Sequence, residues 1–359
     1  MPVIAPALQQ QYDLSIGEVG LLLAAPWIGA TVTLLVWGLA ADRFGERAVL
    51  ALGLAASAAF IAAAAYASTF TDLLVLFALA GAAGSSVQSA SGRAVMQWFP
   101  GDERGLALGI RQTSIPLGGF IAALTLPALV AAGGTEAALL FLAVLSAAGA
   151  LAGALVLRGR AVADGIEAHS IGRTLRDVRL WRLCLGSGIY LYAQTAVIGF
   201  GVLFLHEDHG LSEQAAAFVF AASQVLAVGL RIGAGRWSDL LGSRIVPLRR
   251  VGLAVAAAMV VTAVLAGGPL GLLVPVMVVG GALTMAWNGL AFAAAAELGG
   301  SQRSGAAIGF QQTVLSGFGV AAPVLFAATV SWSSWAVAFL VAAAFPLAGW
   351  VSLRPLERQ

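Results

Sequence analysis

The sequence predicts an all-α membrane protein built as two parallel six-helix repeats, with about eleven complete transmembrane helices and the first helix largely missing. Three observations carry this. The chain of 359 residues is 60% hydrophobic and only 10% charged, against about 25% charged for a soluble domain. Apolar runs of about twenty residues recur between short polar loops, the length that crosses the hydrocarbon core as a helix. The chain also repeats itself: Gly38, Asp42, Gly45 and Arg47 return as Gly235, Asp239, Gly242 and Arg244, each 197 positions on (235 − 38 = 197).

Residues 1–8 are apolar but too short to span a bilayer, and no basic residue precedes them as in a signal peptide. Residues 9–15 read as an external loop, with Leu14 and Ser15 leading into a span over about 17–41. The next spans fall at about 48–68 and 72–99, the second with Ser85, Gln88, Ser89 and Gly92 at helical spacing. A turn at 100–104 precedes a span over about 105–130, which holds Arg111 and Gln112 and two prolines, Pro116 and Pro127, as kink points. A span at 136–157 follows, with Gly149 and Gly153 as a close-contact face. The arginine-rich stretch 158–179 separates the N-terminal bundle (1–157) from the C-terminal bundle (180–359). The second bundle has spans at about 180–205, 211–237, 249–267, 270–296, 304–330 and 333–353.

The repeat extends beyond the loops. At the offset of 197, Leu14 and Ser15 fall on Leu211 and Ser212. At an offset of 200, Gly105, Gly109, Gln112 and Thr113 fall on Gly305, Gly309, Gln312 and Thr313, with Gln311 in the place of Arg111. If the Gly-Asp-Gly-Arg loops are cytoplasmic, Arg43, Arg47, Arg104, the central cluster, Arg236, Arg244 and Arg303 share one side. The opposite loops carry Asp13, Asp72, Glu136, Glu207 and Asp208 and no arginine. That asymmetry is the positive-inside pattern and places the C-terminus in the cytoplasm, with the protein multi-pass in the inner membrane.

The loop pattern itself has a physical reading. Gly38 and Gly235 permit a neighbouring helix to approach, lacking a Cβ. Asp42 and Asp239 stand where a helix N-terminus favours negative charge, and Arg43, Arg47 and Arg244 mark the cytoplasmic face. Two copies at corresponding places resemble the signature loops of the major facilitator superfamily. Trp98-Phe99-Pro100 and Arg104-Gly105-Leu106-Ala107-Leu108-Gly109 are similar to its nitrate/nitrite, cyanate and organic-anion permeases. The resemblance implies a secondary transporter with a substrate site between the halves near the midplane. In nitrate permeases an arginine four residues before the second signature glycine binds substrate, and Arg231 matches it; Leu34 occupies the first-half place, and Arg111-Gln112-Thr113 replaces their Gly-Asn fingerprint. The resemblance also implies that Asp42 docks on the start of the eleventh helix, near 302–305, when the inside is closed, and that Asp102 or Glu103 holds Arg47.

Charge inside the membrane is costly enough to mark function. Arg93, Arg111 and Arg231 lie about 10–12 Å inside the cytoplasmic end at 1.5 Å per residue. Either they snorkel to the inner interface or brace helix ends, or they line a cavity mouth that draws or binds an anion. Further cavity candidates are Gln88, Gln112, Tyr190 and Gln194 (i, i+4), Thr284 and Asn288 with Trp287 beside them, and Gln311 and Gln312. The alternative for each is an interhelical hydrogen bond, about 0.6 kcal/mol. His206 and His209 with Glu207 and Asp208 imitate a metal site but read as a solvated loop, and no metal or cofactor is expected. Cys184 is the only cysteine and reads as a packing residue.

The net charge of +2 gives no footprint for nucleic acid, and no constellation points to an enzyme. The expected partners are a small solute, with the lean towards an anion, a coupling ion and the bilayer, with a monomer as the working unit. An efflux antiporter of the same superfamily and a non-transporting membrane sensor remain open beside a permease. No carboxylate lies at mid-depth in any complete span, which weakens proton-coupled drug exchange.

Two expectations follow. By the offset of 197, the span at 180–205 has a first-half partner of which this sequence holds only the last residues, so about 17 further residues are expected upstream of Met1 to complete a span of about 20. An in-frame stop codon immediately upstream would overturn this. Asp42→Asn should remove the charge that meets the helix dipole, favour the state open to the cytoplasm and slow transport. Cysteine-accessibility labelling of the cytoplasmic cavity reads it, and unchanged labelling and rate would remove Asp42 from the mechanism.

Overall fold

In a computed structural model the described residues are 1–88, 90–91, 104–157 and 176–358. They form helices throughout, with no strand among them. A short helix α1 (Ala5–Tyr12) ends on Asp13 in the left-handed region, so most of the expected external loop at 9–15 is helical. Ser15 then opens the next helix with a reciprocal cap: its Oγ accepts from the Glu18 N–H while the Glu18 carboxylate accepts from the Ser15 N–H. Ser212, its partner at the offset of 197, caps its own helix through the Ala215 N–H. The repeat therefore reproduces the start signal of the helix as well as its end.

The apolar segments that follow are α2 (Ile16–Leu34), α3 (Arg43–Ala64) and α4 (Phe70–Gln88). Next comes Ile110–Val156, and then α7 (Val178–Glu207), α8 (Glu213–Leu241), α9 (Ile245–Leu265), α10 (Leu270–Gly299), α11 (Ala307–Trp332) and α12 (Trp335–Ser352). Ten described helices are thus long and apolar enough to cross a membrane. The segment Ile110–Val156 has 47 residues, or about 70 Å of helix, more than twice the hydrocarbon core. It breaks at Gly133 and Gly134, whose backbones leave the helical region; α5 precedes the break and α6 follows it. Counted as two, they bring ten to eleven.

The other breaks coincide with the signature loops. Gly45 takes φ 80° and ψ 162° near the start of α3, and Gly242 takes φ 60° after α8. Only glycine adopts that region without a Cβ penalty, so the second glycine of each signature is required by the backbone itself. The first glycine is not required by packing: a Cβ at Gly38 or Gly235 would meet nothing within 4 Å. The expected close approach there is corrected. In this state both positions face open space.

Close approach occurs elsewhere. A Cβ at Gly29 would overlap the Ala78 carbonyl, and one at Gly81 would overlap the backbone of Pro26, so α2 and α4 touch main chain to main chain. Gly149 and Gly153 face Leu54 and Leu50 of α3, as the sequence predicts, and the Ser146 hydroxyl donates to the Leu54 carbonyl at 3.0 Å. In the second half, Phe200, Phe204, Phe326, Trp335 and Phe339 form an aromatic stack between α7, α11 and α12. Such pairs add about 0.5–1.5 kcal/mol each. The outer surface is apolar, with Val32, Leu155, Val264 and Leu240 all more than 70% exposed, as a lipid-facing surface must be.

Gly29→Ala is expected to lower stability by about 1–3 kcal/mol through overpacking. Gly38→Ala should stay within about 0.5 kcal/mol of the parent. Melting temperatures of the two purified variants in one detergent provide the comparison, and equal losses would overturn the packing assignment.

Candidate functional site

The halves meet along two helix pairs, and the repeat relates them. α5 and α8 run antiparallel: a Cβ at Gly119 would stand 3.1 Å from the Gln224 side chain, and seven residues away on both helices Arg231 meets Gln112. Adding 200 to 119 and subtracting 197 from 224 names the matching pair on the other seam, Gly319 and Trp27. A Cβ at Gly319 would indeed overlap the Trp27 ring. The same arithmetic sets Gln312 and Leu34 in the places of Gln112 and Arg231. One seam therefore carries Gln224 and Arg231, and the other carries Trp27 and Leu34.

Arg231 is half-buried. Its Nε donates to the Met285 carbonyl at 2.8 Å, one terminal nitrogen to the Gln112 carbonyl at 2.6 Å, and the other to Asn288 Oδ1 at 3.2 Å. The middle bond crosses from the second half to the first. Arg111, one residue before Gln112, points to α4: its Nε donates to Ser91 Oγ at 2.8 Å and a terminal nitrogen to Gln88 Oε1 at 2.6 Å. Gln88 Oε1 also accepts from Gln312 Nε2 of α11 at 3.5 Å, the outer limit of a hydrogen bond. Both guanidiniums are thus held by neutral oxygens, and neither pairs with a carboxylate among the described residues. The donors of both are spent inward, as either a bracing or a cavity-lining role requires. Arg93 lies outside the described residues.

The other candidates divide. Gln88, Gln112, Asn288 and Gln312 come together with the two arginines. Tyr190 and Trp287 do not. The Tyr190 ring fills the space over Gly252 of α9 and Gly349 of α12 and meets Trp287 edge-on at 5.9 Å. Both are fully buried within the second bundle, and the Tyr190 hydroxyl and the Trp287 indole N–H have no hydrogen-bond partner among the described residues. Gln311 is also fully buried, with both amide atoms unpartnered. Thr284 bonds back to the Gly281 carbonyl at 2.6 Å. Gln194 has a buried, unpartnered Oε1 and stands immediately before a π-helical turn, Thr195–Gly199. Such turns are frequent at functional sites.

In the second signature loop Arg244 binds Asp239 directly and Glu297 at 2.8 Å. The loop is fastened to the end of α10 by charge pairing, a partner that the helix-dipole reading did not include. The side chain of Asp42, those of 302–305, and Asp102 and Glu103 lie outside the described residues, as do residues 158–175 of the expected central loop at 158–179, whose last two residues already belong to α7. Arg43 stands exposed beside the Phe44 ring at 5.6 Å, and Arg47 is exposed. At the other end of the molecule, His206 and His209 engage the carbonyls of Leu211 and Ala266 at 2.8 and 2.7 Å, which makes them loop fasteners.

A helical membrane protein in two related halves, with polar groups gathered at their seam, is the architecture of one large family. The sequence model of the Major Facilitator Superfamily matches residues 1–322. The chain belongs to this superfamily. A Mycobacterium tuberculosis protein named as an uncharacterised MFS-type transporter is 34% identical over 361 residues, covering 99% of this chain and 80% of that protein. The Bacillus subtilis hexuronate transporter is 29% identical over 34% of this chain and 29% of its own. A probable nitrate/nitrite antiporter of Thermus thermophilus is 26% identical over 67% of this chain and 57% of its own. A bacterial homologue of the human lysosomal transporter Spinster, solved in an inward-facing and occupied conformation, superposes with a TM-score of 0.80 at 15% identity. It covers 99% of this chain and 92% of that one, and it supports the fold. The protein is a membrane transporter of this superfamily.

Gln224 and Trp27 are residues that sequence reasoning passed over, while Glu297 was expected only as a carboxylate near the cytoplasmic end. Gln224 stands seven residues before Arg231, hence on the same helix face, and the offset of 197 then leads to Trp27. If the two glycine contacts are where the halves bear on each other, Gly119→Val and Gly319→Val should each reduce transport about tenfold or more while leaving the folded yield intact. Flux in proteoliposomes beside size-exclusion profiles checks this, and full activity in both variants would overturn it.

Proposed function

We propose that the transported solute is a small anion, carried across the cytoplasmic membrane by alternating access. The observation that carries this is the pair Arg111 and Arg231, half-buried within the helices with neutral acceptors alone among the described residues. Burying an uncompensated guanidinium is costly, and a bound anion is the natural counter-charge. Arg231 donates across the seam, so an anion bound there would contact both halves. The hexuronate and nitrate/nitrite relatives name anionic solutes, which supports the same reading.

The described contacts that join the halves lie at mid-depth and at the end away from the signature loops. There Gly20 abuts Pro323 and Ala327. With Gly38 and Gly235 in open space at the other end, the arrangement reads as a state open towards the signature loops. The arginine distribution makes that side cytoplasmic, with the C-terminus on it. The described carboxylates stand at helix ends, which favours coupling through a cotransported cation or an exchanged anion over a protonated side chain at mid-depth. The site is assembled within one chain, consistent with a working monomer. Its parts bind and release; none forms a catalytic set, and we read the protein as a carrier and no enzyme.

Counterflow in proteoliposomes, scanned over inorganic oxyanions, monocarboxylates and sugar acids, tests the reading. Arg231→Gln and Arg111→Gln should each raise KM for the transported anion about ten- to a hundredfold, the loss of one charge-assisted hydrogen bond of roughly 1.5–3 kcal/mol. Normal KM in both variants, or a neutral or cationic substrate, would overturn it. Absence of flux for every solute class would favour a sensor that kept the fold.

A further inference from the structure

The acceptor that Arg231 finds across the seam has a specific origin. In a helix the carbonyl of residue 112 accepts from the N–H of residue 116. Residue 116 is proline, which has no N–H, and it sits inside the continuous helix of α5. The Gln112 carbonyl thus lacks its helical donor, and Arg231 of the other half supplies one at 2.6 Å. An unsatisfied carbonyl at this depth is costly, so the two halves are drawn together at this point.

The second seam serves as an internal control. At the offset of 200, Pro116 becomes Ser316, and at the offset of 197, Arg231 becomes Leu34. Residue 316 retains its N–H, and its hydroxyl also donates to the Gln312 carbonyl at 2.9 Å. The proline and the arginine occur together on one seam and are both replaced on the other.

We propose that Pro116, the Gln112 carbonyl and Arg231 form a latch between the halves that the substrate anion releases. This rests on the anion reading. The guanidinium arm held by the Gln112 carbonyl is an arm an incoming anion claims, because an anionic oxygen is a stronger acceptor than a carbonyl. Binding then frees the first half from the second at the α5–α8 seam, and emptying the site restores the bond. Pro116 is a positioning residue in this device. It touches no substrate, and it keeps the carbonyl in want of a donor.

The test follows the seam by pulsed electron spin resonance between spin labels at Ile110→Cys and Ile232→Cys, both exposed positions, in full-length protein with Cys184→Ala. Without added solute, the parent should give a short, narrow distance distribution. Pro116→Ala restores the helical N–H and Arg231→Gln removes the donor, so each should lengthen or broaden the distribution, and the double variant should equal Arg231→Gln alone. Millimolar nitrate, acetate or glucuronate should shift the parent in the same direction, and Pro116→Ala should bind the effective anion about three- to tenfold more tightly, the competing bond being gone. A Pro116→Ala distribution identical to the parent, or an effect fully additive with Arg231→Gln, would overturn the latch even if anions act. A Pro116→Ala shift without a response to any of the three anions would overturn the release step and count against the anion reading, while the inter-half bond would stand. A helix merely straightened by loss of the proline would add to Arg231→Gln and leave anion affinity unmoved.

Discussion

Hydrocarbon offers no hydrogen bond, and the structure depends on that constraint throughout. Each backbone N–H and C=O within the bilayer must find a protein partner, which forces the helices and makes every departure from them meaningful. Gly45 and Gly242 leave the helical region where the chain turns at the signature loops, and Gly133 and Gly134 do so where α5 gives way to α6. The π-helical turn at Thr195–Gly199 redirects α7 beside Gln194. Pro116 breaks the hydrogen-bond ladder without breaking the helix, and the missing donor comes from the other half.

The scaffold is symmetric and its chemistry is not. Glycine is the point of close approach on both seams, at Gly119 and Gly319, and the facing side chain is large on both, Gln224 and Trp27. The repeat thus preserves the way the halves bear on each other. At the place where Arg231 stands opposite Gln112 on one seam, Leu34 occupies the equivalent place on the other. A moving pair of halves needs both properties: matched bearing surfaces that let either end close, and a single locus at which a solute can be gripped.

The signature loops show how the ends are fastened. Arg244 gathers Asp239 from its own loop and Glu297 from the end of α10. On the same end, Arg249 donates to the Trp350 carbonyl at 2.7 Å, lies 4.9 Å from the Trp350 ring centre and pairs with Glu357 of the C-terminal turn. These arginines are tied within the second bundle. Arg231 is free of any carboxylate among the described residues and reaches outside its bundle to the Gln112 carbonyl, the difference on which the proposed anion site rests.

Fold class, span order and the internal repeat were legible in the sequence, because apolar length and loop chemistry are local properties that the bilayer enforces directly. The arginines at positions 111 and 231 were legible too, since charge within an apolar run announces itself. The direction in which a side chain points was not. Tyr190 and Gln194 share helical spacing, yet Tyr190 turns into the second bundle over Gly252 and Gly349, which only the packing of α9 and α12 decides. Gly38 and Gly235 looked like contact points, but a glycine marks only where an approach is permitted; the relative position of the helices determines whether it occurs. The partnership of Arg231 with a carbonyl freed by Pro116 joins residues 119 positions apart. Each carries its own local signal, a charge and a missing donor, and only the tertiary structure brings the two together.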